Sequence, residues 1–492
     1  MVTAGAIVFI VVWSAFFVGR DYQVPLFYNS DAAKYLVDAR NLVDGKGLED
    51  PAPPYKATLQ KTPTAFPMLL MVYWALLHPH LLPVKLILTI LLVAGTLMSY
   101  LILKQLVHPV AALLGTLAFC ATDLYVFMGS SVLSETVFIP VLYTGLYCLY
   151  KYDREKLERY AWFSLWCFVI AGRIRVVGIP FFIVCVAGFL IRKDWRKAFA
   201  GVAVMAVWLL FEQMRIPADV VPRTYLSRLH YLFAGMSGES PVFFTVARKF
   251  LENAVSFAGT IYVNTLFPFF YSFFAMNVFK RLMTSGLCCY GMYGLWLLWK
   301  RVPWTRVFLG GMVLMMVPVL CWPNTGTIYR YLFPFIPVLF AGLLMPVQTH
   351  VASDKWRTAI VLAISLAVVV NQSVVTLRSD AAARRAADNR HFKDIHDFIR
   401  SDPVVPDLII SPFNLYTYLQ TDIHSVTPPL EPEACRAMIA AKHIWMIAKD
   451  GGELPLPHLP CSPYEFSTGY RKLYGSGGWA LYTVAIKQPA AE

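Results

Sequence analysis

The sequence predicts a mainly α fold: a polytopic transmembrane helical bundle of about 11–13 spans with a small soluble α/β domain at the C-terminal end. Three observations predict it. Of the 492 residues, 58% are hydrophobic and 15% charged, against roughly half and roughly a quarter in soluble domains. The apolar residues come in repeated runs close to the ~20 residues that a helix needs to cross a bilayer. Past residue 375 these runs stop, and charges, Pro and Gly take over. Hydrocarbon cannot satisfy backbone N–H and C=O groups, so runs of this kind fold as helices.

The first run, residues 2–18, lacks a charged leading segment and a cleavage site, so it reads as a span and not a signal peptide. Further spans are expected at 83–103, 110–128, 132–150, 160–171, 176–191, 198–213, 282–299, 307–322, 331–347 and 358–375. The loops 104–108, 151–159, 192–197, 300–306 and 350–357 are all basic and fall on one face if these spans alternate. Positive charge marks the cytoplasmic face. The other face then receives residues 19–82, 130–131, 172–175, 214–281, 323–330 and the tail from 376 onward.

Two apolar stretches are left out of this count. Residues 65–77 are too few for a ~30 Å core at 1.5 Å per residue, so they are expected as an embedded or interfacial helix of the first outer loop. Residues 254–279 are rich in Phe and Tyr, which favours the interface. If that stretch crossed, loop 300–306 would move outside. In the tail, 380–400 has helical spacing, and 407–411, 444–448 and 480–486 read as short strands. The domains are therefore drawn at 1–375 and 376–492.

The net charge of +13 would suggest nucleic acid in a soluble protein; here it sits largely in cytoplasmic loops and sets orientation, so no nucleic-acid partner is predicted. Of nine cysteines, seven lie in or beside apolar segments as small core residues. Cys435 and Cys461 lie in the tail, where a non-cytoplasmic location would permit a disulfide. No metal-type Cys spacing is present. No cofactor is assigned with certainty, and a divalent cation is left open.

The outer face carries the candidate chemistry. Asp31 opens an amphipathic helix whose apolar side holds Tyr35, Leu36, Ala39, Leu42 and Val43, ended by Gly45 and Gly47. The helix dipole favours an anion there; plain N-capping by Ser30 or Asp31 is the bland alternative. Glu135 lies at the outer end of a span, where a carboxylate is costly unless it faces a polar cavity; a position merely at headgroup level is the alternative. Asp123, one span earlier, ranks below it. Lys56, Lys61, Arg173, Arg175 and Arg330, the last between Tyr329 and Tyr331, break the positive-inside trend. Cations at an outer surface suit a lipid-linked phosphate, or else lipid headgroups.

The order of these pieces resembles the membrane-embedded glycosyltransferases of the GT-C superfamily. The matching pieces are the outer-loop acid and its helix (Asp31 to Gly47), Thr62-Pro63-Thr64-Ala65-Phe66-Pro67, Leu133-Ser134-Glu135-Thr136, the Gly172 to Pro180 stretch, and Tyr329-Arg330-Tyr331-Leu332-Phe333-Pro334. The likeness spans about 1–375, with a looser match for the tail. It looks most like the bacterial branch that includes aminoarabinose transferases and relatives of protein O-mannosyltransferases. That resemblance implies inverting transfer from a polyprenyl-phosphate sugar. Asp31 matches the base or orienting acid, Glu135 a second outer acid, and Lys61 and Arg330 the donor-phosphate cations. Several members carry a double acid where this chain has Ser30-Asp31, and no Trp-Trp-Asp motif occurs in the tail. Both departures argue against the metal-binding oligosaccharyltransferase branch.

The implied partners are a polyprenyl-phosphate sugar donor, a glycan, lipid or protein acceptor, and membrane lipids. A leaving phosphate needs fixed cations, and an acceptor hydroxyl needs a carboxylate in reach. Nucleotide sugars are cytoplasmic, so an outward site points to a lipid-carried donor. The expected location is a bacterial inner (plasma) membrane, with the site and tail facing the periplasm or exterior. A transporter or flippase of lipid-linked sugars is the alternative, and would line a mid-membrane path with polar groups. A non-catalytic scaffold displaying the tail is a third reading.

Overall fold

A computed structural model describes residues 2–20, 30–46, 64–77, 81–214, 242–268, 278–321, 326–379 and 381–411. Beyond these it describes residues 417 and 421 and the strands at 425–426, 444–449, 465–466, 471–476, 479–484 and 486–487. The chain is an integral membrane protein with a helical body. Its helices are α1 (Val2–Arg20), α2 (Ser30–Val43), α3 (Ala65–Leu77), α4 (Leu81–Leu106), α5 (Pro109–Cys120), α6 (Asp123–Gly129), α7 (Glu135–Glu155), α8 (Glu158–Ile174), α9 (Ile179–Ile191) and α10 (Trp195–Met214). There follow α11 (Val242–Ser256), α12 (Tyr262–Leu266), α13 (Val278–Arg301), α14 (Thr305–Leu320), α15 (Gly326–Leu332), α16 (Ile336–His350), α17 (Asp354–Arg378) and α18 (Ala381–Ser401). Among the described residues, Leu82–Leu106, Ile328–His350 and Asp354–Arg378 are each long and apolar enough to cross a membrane by length and composition. Each expected span falls on a helix, with one exception in form.

That exception is the run at 110–128, expected as one span. It is broken into α5 and α6, which meet at 65°. Thr122 makes the break: its hydroxyl accepts the Tyr125 amide at 3.1 Å and starts α6 afresh. A broken helix in an apolar body survives only if its freed carbonyls find donors. At the break Thr122 Oγ1 donates to Phe119 O (2.9 Å), and side chains from three other helices bond carbonyls of both halves. Trp13 Nε1 donates to Leu117 O (3.1 Å), Thr376 Oγ1 to Ala121 O, and Thr89 Oγ1 to Gly129 O (2.8 Å). The bend turns the chain so that the 130–134 connection leads directly into α7, with Glu135 as its first residue.

The helix α3 has 13 residues, as expected for a non-crossing element, and packs on α2 through Phe66, whose ring meets Tyr35 edge-on at 4.8 Å. In the described part of 254–279, Ile261, Tyr262, Val263 and Leu266 are buried within the protein, while residues 254–260 are half-buried or exposed. A π-helical turn at Phe257–Ile261 lies between α11 and α12. Gln372 Nε2 and Thr284 Oγ1 hold this segment by donating to Thr265 O and Gly259 O, both at 2.6 Å. Close helix contact is set where α13 crosses α16: a Cβ on Gly294 would lie 1.7 Å from the Gly342 carbonyl oxygen. Cys289 is exposed, unlike the buried Cys120, Cys185 and Cys288, so it is not the core residue expected. Cys435 and Cys461 lie outside the described residues.

The tail holds a five-stranded sheet in the order β2-β1-β3-β6-β5. Its strands are β1 (Leu408–Ile410), β2 (Ser425–Val426), β3 (Ile444–Lys449), β5 (Arg471–Ser476) and β6 (Trp479–Val484); β4 (Glu465–Phe466) pairs separately with β7 (Ile486–Lys487). Strand β1 runs parallel to β2 and β3, while β6 runs antiparallel to β3 and β5. The helix α18 covers the sheet, with Phe392 against Trp479 and Phe398 stacked on Tyr474. Strands β2, β4 and β5 fall outside the expected strands; Arg471–Ser476 mixes charge and Gly and lacks an apolar alternation. At the junction, Arg20 at the end of α1 donates to the carbonyls of Thr376, Leu377 and Ser379, tying the first helix to the end of α17.

Candidate active site

Four charged side chains, far apart in sequence, meet at helix starts and junctions. Asp31 is in the first turn of α2, where unpaired amide N–H groups favour an anion. On this helix Tyr35, Leu36 and Ala39 are buried as expected, but Val43 is exposed, because the helix ends there and Gly45 takes a left-handed φ of 73°. Glu135 begins α7 and is buried. Arg175 lies between α8 and the 3-10 turn Val176–Gly178, in extended backbone. The turn is tight: a Cβ on Gly178 would lie 2.4 Å from the Ala171 carbonyl carbon. Arg330 is in the short helix α15, which leads through Phe333–Phe335 into α16. Tyr143 fixes that junction by donating to Pro334 O at 2.7 Å.

The guanidinium of Arg330 spans both acids. Its Nε donates to Glu135 Oε1 and its Nη1 to Asp31 Oδ2. Arg175 Nη1 is ion-paired with the same Glu135 Oε1. The other carboxylate oxygen, Oε2, accepts from Ser134 Oγ at 3.4 Å. A lone buried carboxylate would cost several kcal/mol, so the two guanidinium groups are what make this burial tolerable. The acids differ in access: the Glu135 side chain is 1% exposed and the Asp31 side chain 44%, with Arg330 between at 27%. Two anions and two cations balance within the cluster.

Of the other sequence candidates, Tyr331 packs against this cluster. The guanidinium of Arg175 lies over the Tyr331 ring at 5.9 Å. The Tyr329 hydroxyl accepts from Asn264 Nδ2 at 3.2 Å. Arg173 is buried with its guanidinium over Trp208 of α10 at 6.0 Å, and Trp208 Nε1 donates to Thr64 Oγ1 at 3.4 Å. Asp123 is exposed at the start of α6. Lys56 and Lys61 lie outside the described residues. Sequence reasoning missed Ser134, Tyr35 and Asn264 as polar partners of the site. The available signal for Tyr35 was its place one helical turn after Asp31; Asn264 carried none.

A divalent cation does not fit between the two acids as they stand. Arg330 engages both, and among the described residues no group of three His, Cys, Asp or Glu could hold a metal ion.

No protein-family model matches the sequence, and no curated protein matches it. Solved structures do match. ArnT from Cupriavidus metallidurans, an aminoarabinose transferase, superposes in its apo state with a TM-score of 0.55 at 12% identity, covering 98% of each chain. The same protein bound to undecaprenyl phosphate gives 0.52 at 13% identity, over 97% of this chain and 98% of that one. The Archaeoglobus fulgidus oligosaccharyltransferase in complex with Zn and sulfate gives 0.53 at 13% identity, over 90% of this chain and 67% of that one. Both proteins are GT-C glycosyltransferases, and at these identities the likeness is one of fold. This chain has the GT-C fold, and the match runs through the tail as well as the helical body.

Proposed function

We propose that this protein is an inverting glycosyltransferase that moves a sugar from a polyprenyl-phosphate carrier to an acceptor hydroxyl on the extracytoplasmic face. The observation that carries this is the single guanidinium of Arg330 spanning Asp31 and Glu135 within a GT-C fold. The ArnT neighbour is bound to undecaprenyl phosphate, which supports a donor of this kind.

The division of labour follows from exposure. Asp31 is the acid an acceptor can reach, and it acts as base or orienting group. Glu135 is walled off and serves to hold Arg175 and Arg330 in place. In the reaction the acceptor oxygen attacks the anomeric carbon and its proton passes to the Asp31 carboxylate. The bond from that carbon to the phosphate oxygen breaks, and its electron pair leaves with the polyprenyl phosphate. Arg330 and Arg175 meet that growing charge, and fixed cations stabilise it without reorganising. For Asp31 to accept a proton, Arg330 must turn from it to the phosphate; the donor thus frees the base as it binds.

Arg173, Tyr329 and Tyr331 are assigned to substrate binding, and Lys56 and Lys61 to the donor phosphate. A cavity of about 290 Å³ lined by Val263, Met283, Leu287 and Tyr290 is apolar enough for part of an isoprenoid chain, and Val263 precedes the Asn264 that holds Tyr329. A transporter would need its charges along a path within the spans. Here they gather at helix starts and junctions, which favours an enzyme.

Mass spectrometry of lipid co-purifying with the protein is the direct test: a polyprenyl-phosphate sugar is expected, and its absence from active membranes and purified protein alike would remove the donor assignment. Orientation is tested by cysteines placed in loops 151–159 and 214–240. The first should be protected from an impermeant thiol reagent in intact cells and the second labelled; the reverse pattern would overturn the extracytoplasmic site.

A further inference from the structure

We propose that Tyr35 and Ser134 form a hydrogen-bond relay that positions Glu135, and with it the Arg330 bridge to Asp31. The proposal rests on the reading that Arg330 binds the donor phosphate.

Ser134 occupies the N-cap position of α7, yet its side chain makes no capping bond. A serine there ordinarily accepts an amide N–H of the first turn. This hydroxyl, fully buried, goes elsewhere: it lies 3.4 Å from Glu135 Oε2 and 3.1 Å from the Tyr35 hydroxyl. The direction of the chain follows from donor counting. A carboxylate held between two guanidinium groups is ionised and only accepts. The single Ser134 proton therefore goes to Glu135, and the Tyr35 phenol donates to Ser134. Burial pushes the Tyr35 phenol up from its ordinary range, Asp31 and Glu135 adding to this and Arg175 opposing it, so it stays a protonated donor.

The relay completes the fixing of Glu135. Both guanidinium groups fall on Oε1, and Ser134 takes Oε2. Without the Ser134 contact the carboxylate could rotate about its terminal torsion, which is soft, and release one guanidinium. Tyr35 is itself clamped edge-on to Phe66 of α3 and stands one turn after Asp31 on α2. The helix bearing Asp31 is thus joined to the start of α7 twice, through Arg330 and through Tyr35. Two ties fix a spacing that one tie leaves free, and this spacing lets one guanidinium span both acids.

The test titrates undecaprenyl phosphate, as the probe, onto purified full-length protein in detergent. Y35F and S134A are each expected to weaken binding by about three- to tenfold, the range of one net hydrogen bond. The relay is serial, so the double variant should be no weaker than either single one, and S134T should recover most of the loss. Thermal midpoints should remain close to wild type for Y35F. Additive losses accompanied by falling midpoints would mean packing alone, and would overturn the relay. R330A separates the two levels. If R330A abolishes binding while Y35F and S134A are silent, the relay fails and the donor reading stands. If R330A binds as wild type does, the donor reading fails.

Discussion

Two buried ionisable side chains in this protein are handled in opposite ways. Glu135, in the helical body, is surrounded by charge: two guanidinium groups and a serine hydroxyl converge on its carboxylate. His396, inside the tail domain, faces hydroxyls: its Nε2 is 3.3 Å from Thr417 Oγ1, and Thr417 in turn donates to Ser411 at 2.9 Å. Burial first, and the charge of Arg400 second, hold the imidazole down at about 3. The one environment keeps a charge, the other excludes it. A folded chain has little reason to gather two cations around a buried acid for stability alone, since apolar replacements are often as stable. The contrast supports the proposal that the site lies in the helical body, with His396 serving packing.

Four measurements would break or sharpen this contrast. The largest effect is expected at Asp31. Asp31→Asn should lower sugar transfer by about a hundredfold or more, as for a lost general base, with folding intact because the side chain is half exposed. His396→Gln should leave turnover per folded molecule near wild type. Near-normal turnover in the Asp31 variant, or a dead His396 variant that remains folded, would reverse the assignment of the two regions.

Glu135→Gln comes next and should act on stability. Removing one member of a buried ion pair costs about 3–5 kcal/mol because the partner charge is stranded. Combining Glu135→Gln with Arg175→Met should recover much of the thermal midpoint without recovering transfer. A stable, active single variant would mean that the cluster is solvated and not buried.

Arg330→Lys should lower catalytic efficiency by roughly tenfold, since an ammonium cannot reproduce the fork that spans two acids or a phosphate, and about 1.4 kcal/mol is tenfold. Arg330→Ala should lose more. If Arg330 only reached lipid headgroups, lysine would serve as well and the change would be silent.

The last measurement concerns His396 and pH, and bears on the tail alone. Its folded pKa of about 3 lies below the ~6.5 of an unfolded histidine. Between those values the unfolded tail binds more protons, so stability is full above pH 6.5 and falls as pH drops toward 3. The slope is about 1.4 kcal/mol per pH unit in that window. Fluorescence of Trp445 and Trp479, both buried in the tail sheet, would follow it, and His396→Gln should flatten that part of the curve. An unchanged slope in the variant would mean that other groups set the acid sensitivity.

Much of the body was legible because lipid permits so few backbone solutions. Long apolar runs place helices with little help from packing. The same lever failed at residues 121–122, where threonine inside an apolar run gives no warning of a bend. It failed again at Arg471–Ser476, which pairs with Trp479–Val484 despite a poor strand pattern, because the neighbouring strand and Tyr474 on Phe398 decide it. Asp31, Glu135 and Arg330 could be nominated singly, since charge beside apolar runs is costly and therefore meaningful. Their convergence could not be read, because Asp31 and Arg330 are 299 residues apart and Glu135 and Arg330 are 195 apart.

By itself, then, the sequence determined that the chain is a helical membrane protein with a small sheet near its C-terminal end, and it nominated charges beside apolar runs. Those are properties of local runs, set by the transfer of side chains and backbone between water and lipid. Only the tertiary structure decided that one guanidinium meets two acids, that the inner acid is buried while the outer one is accessible, and that Ser134 makes no capping bond and faces Glu135. Such roles depend on distance and burial between elements remote in the chain, and no local pattern encodes a distance.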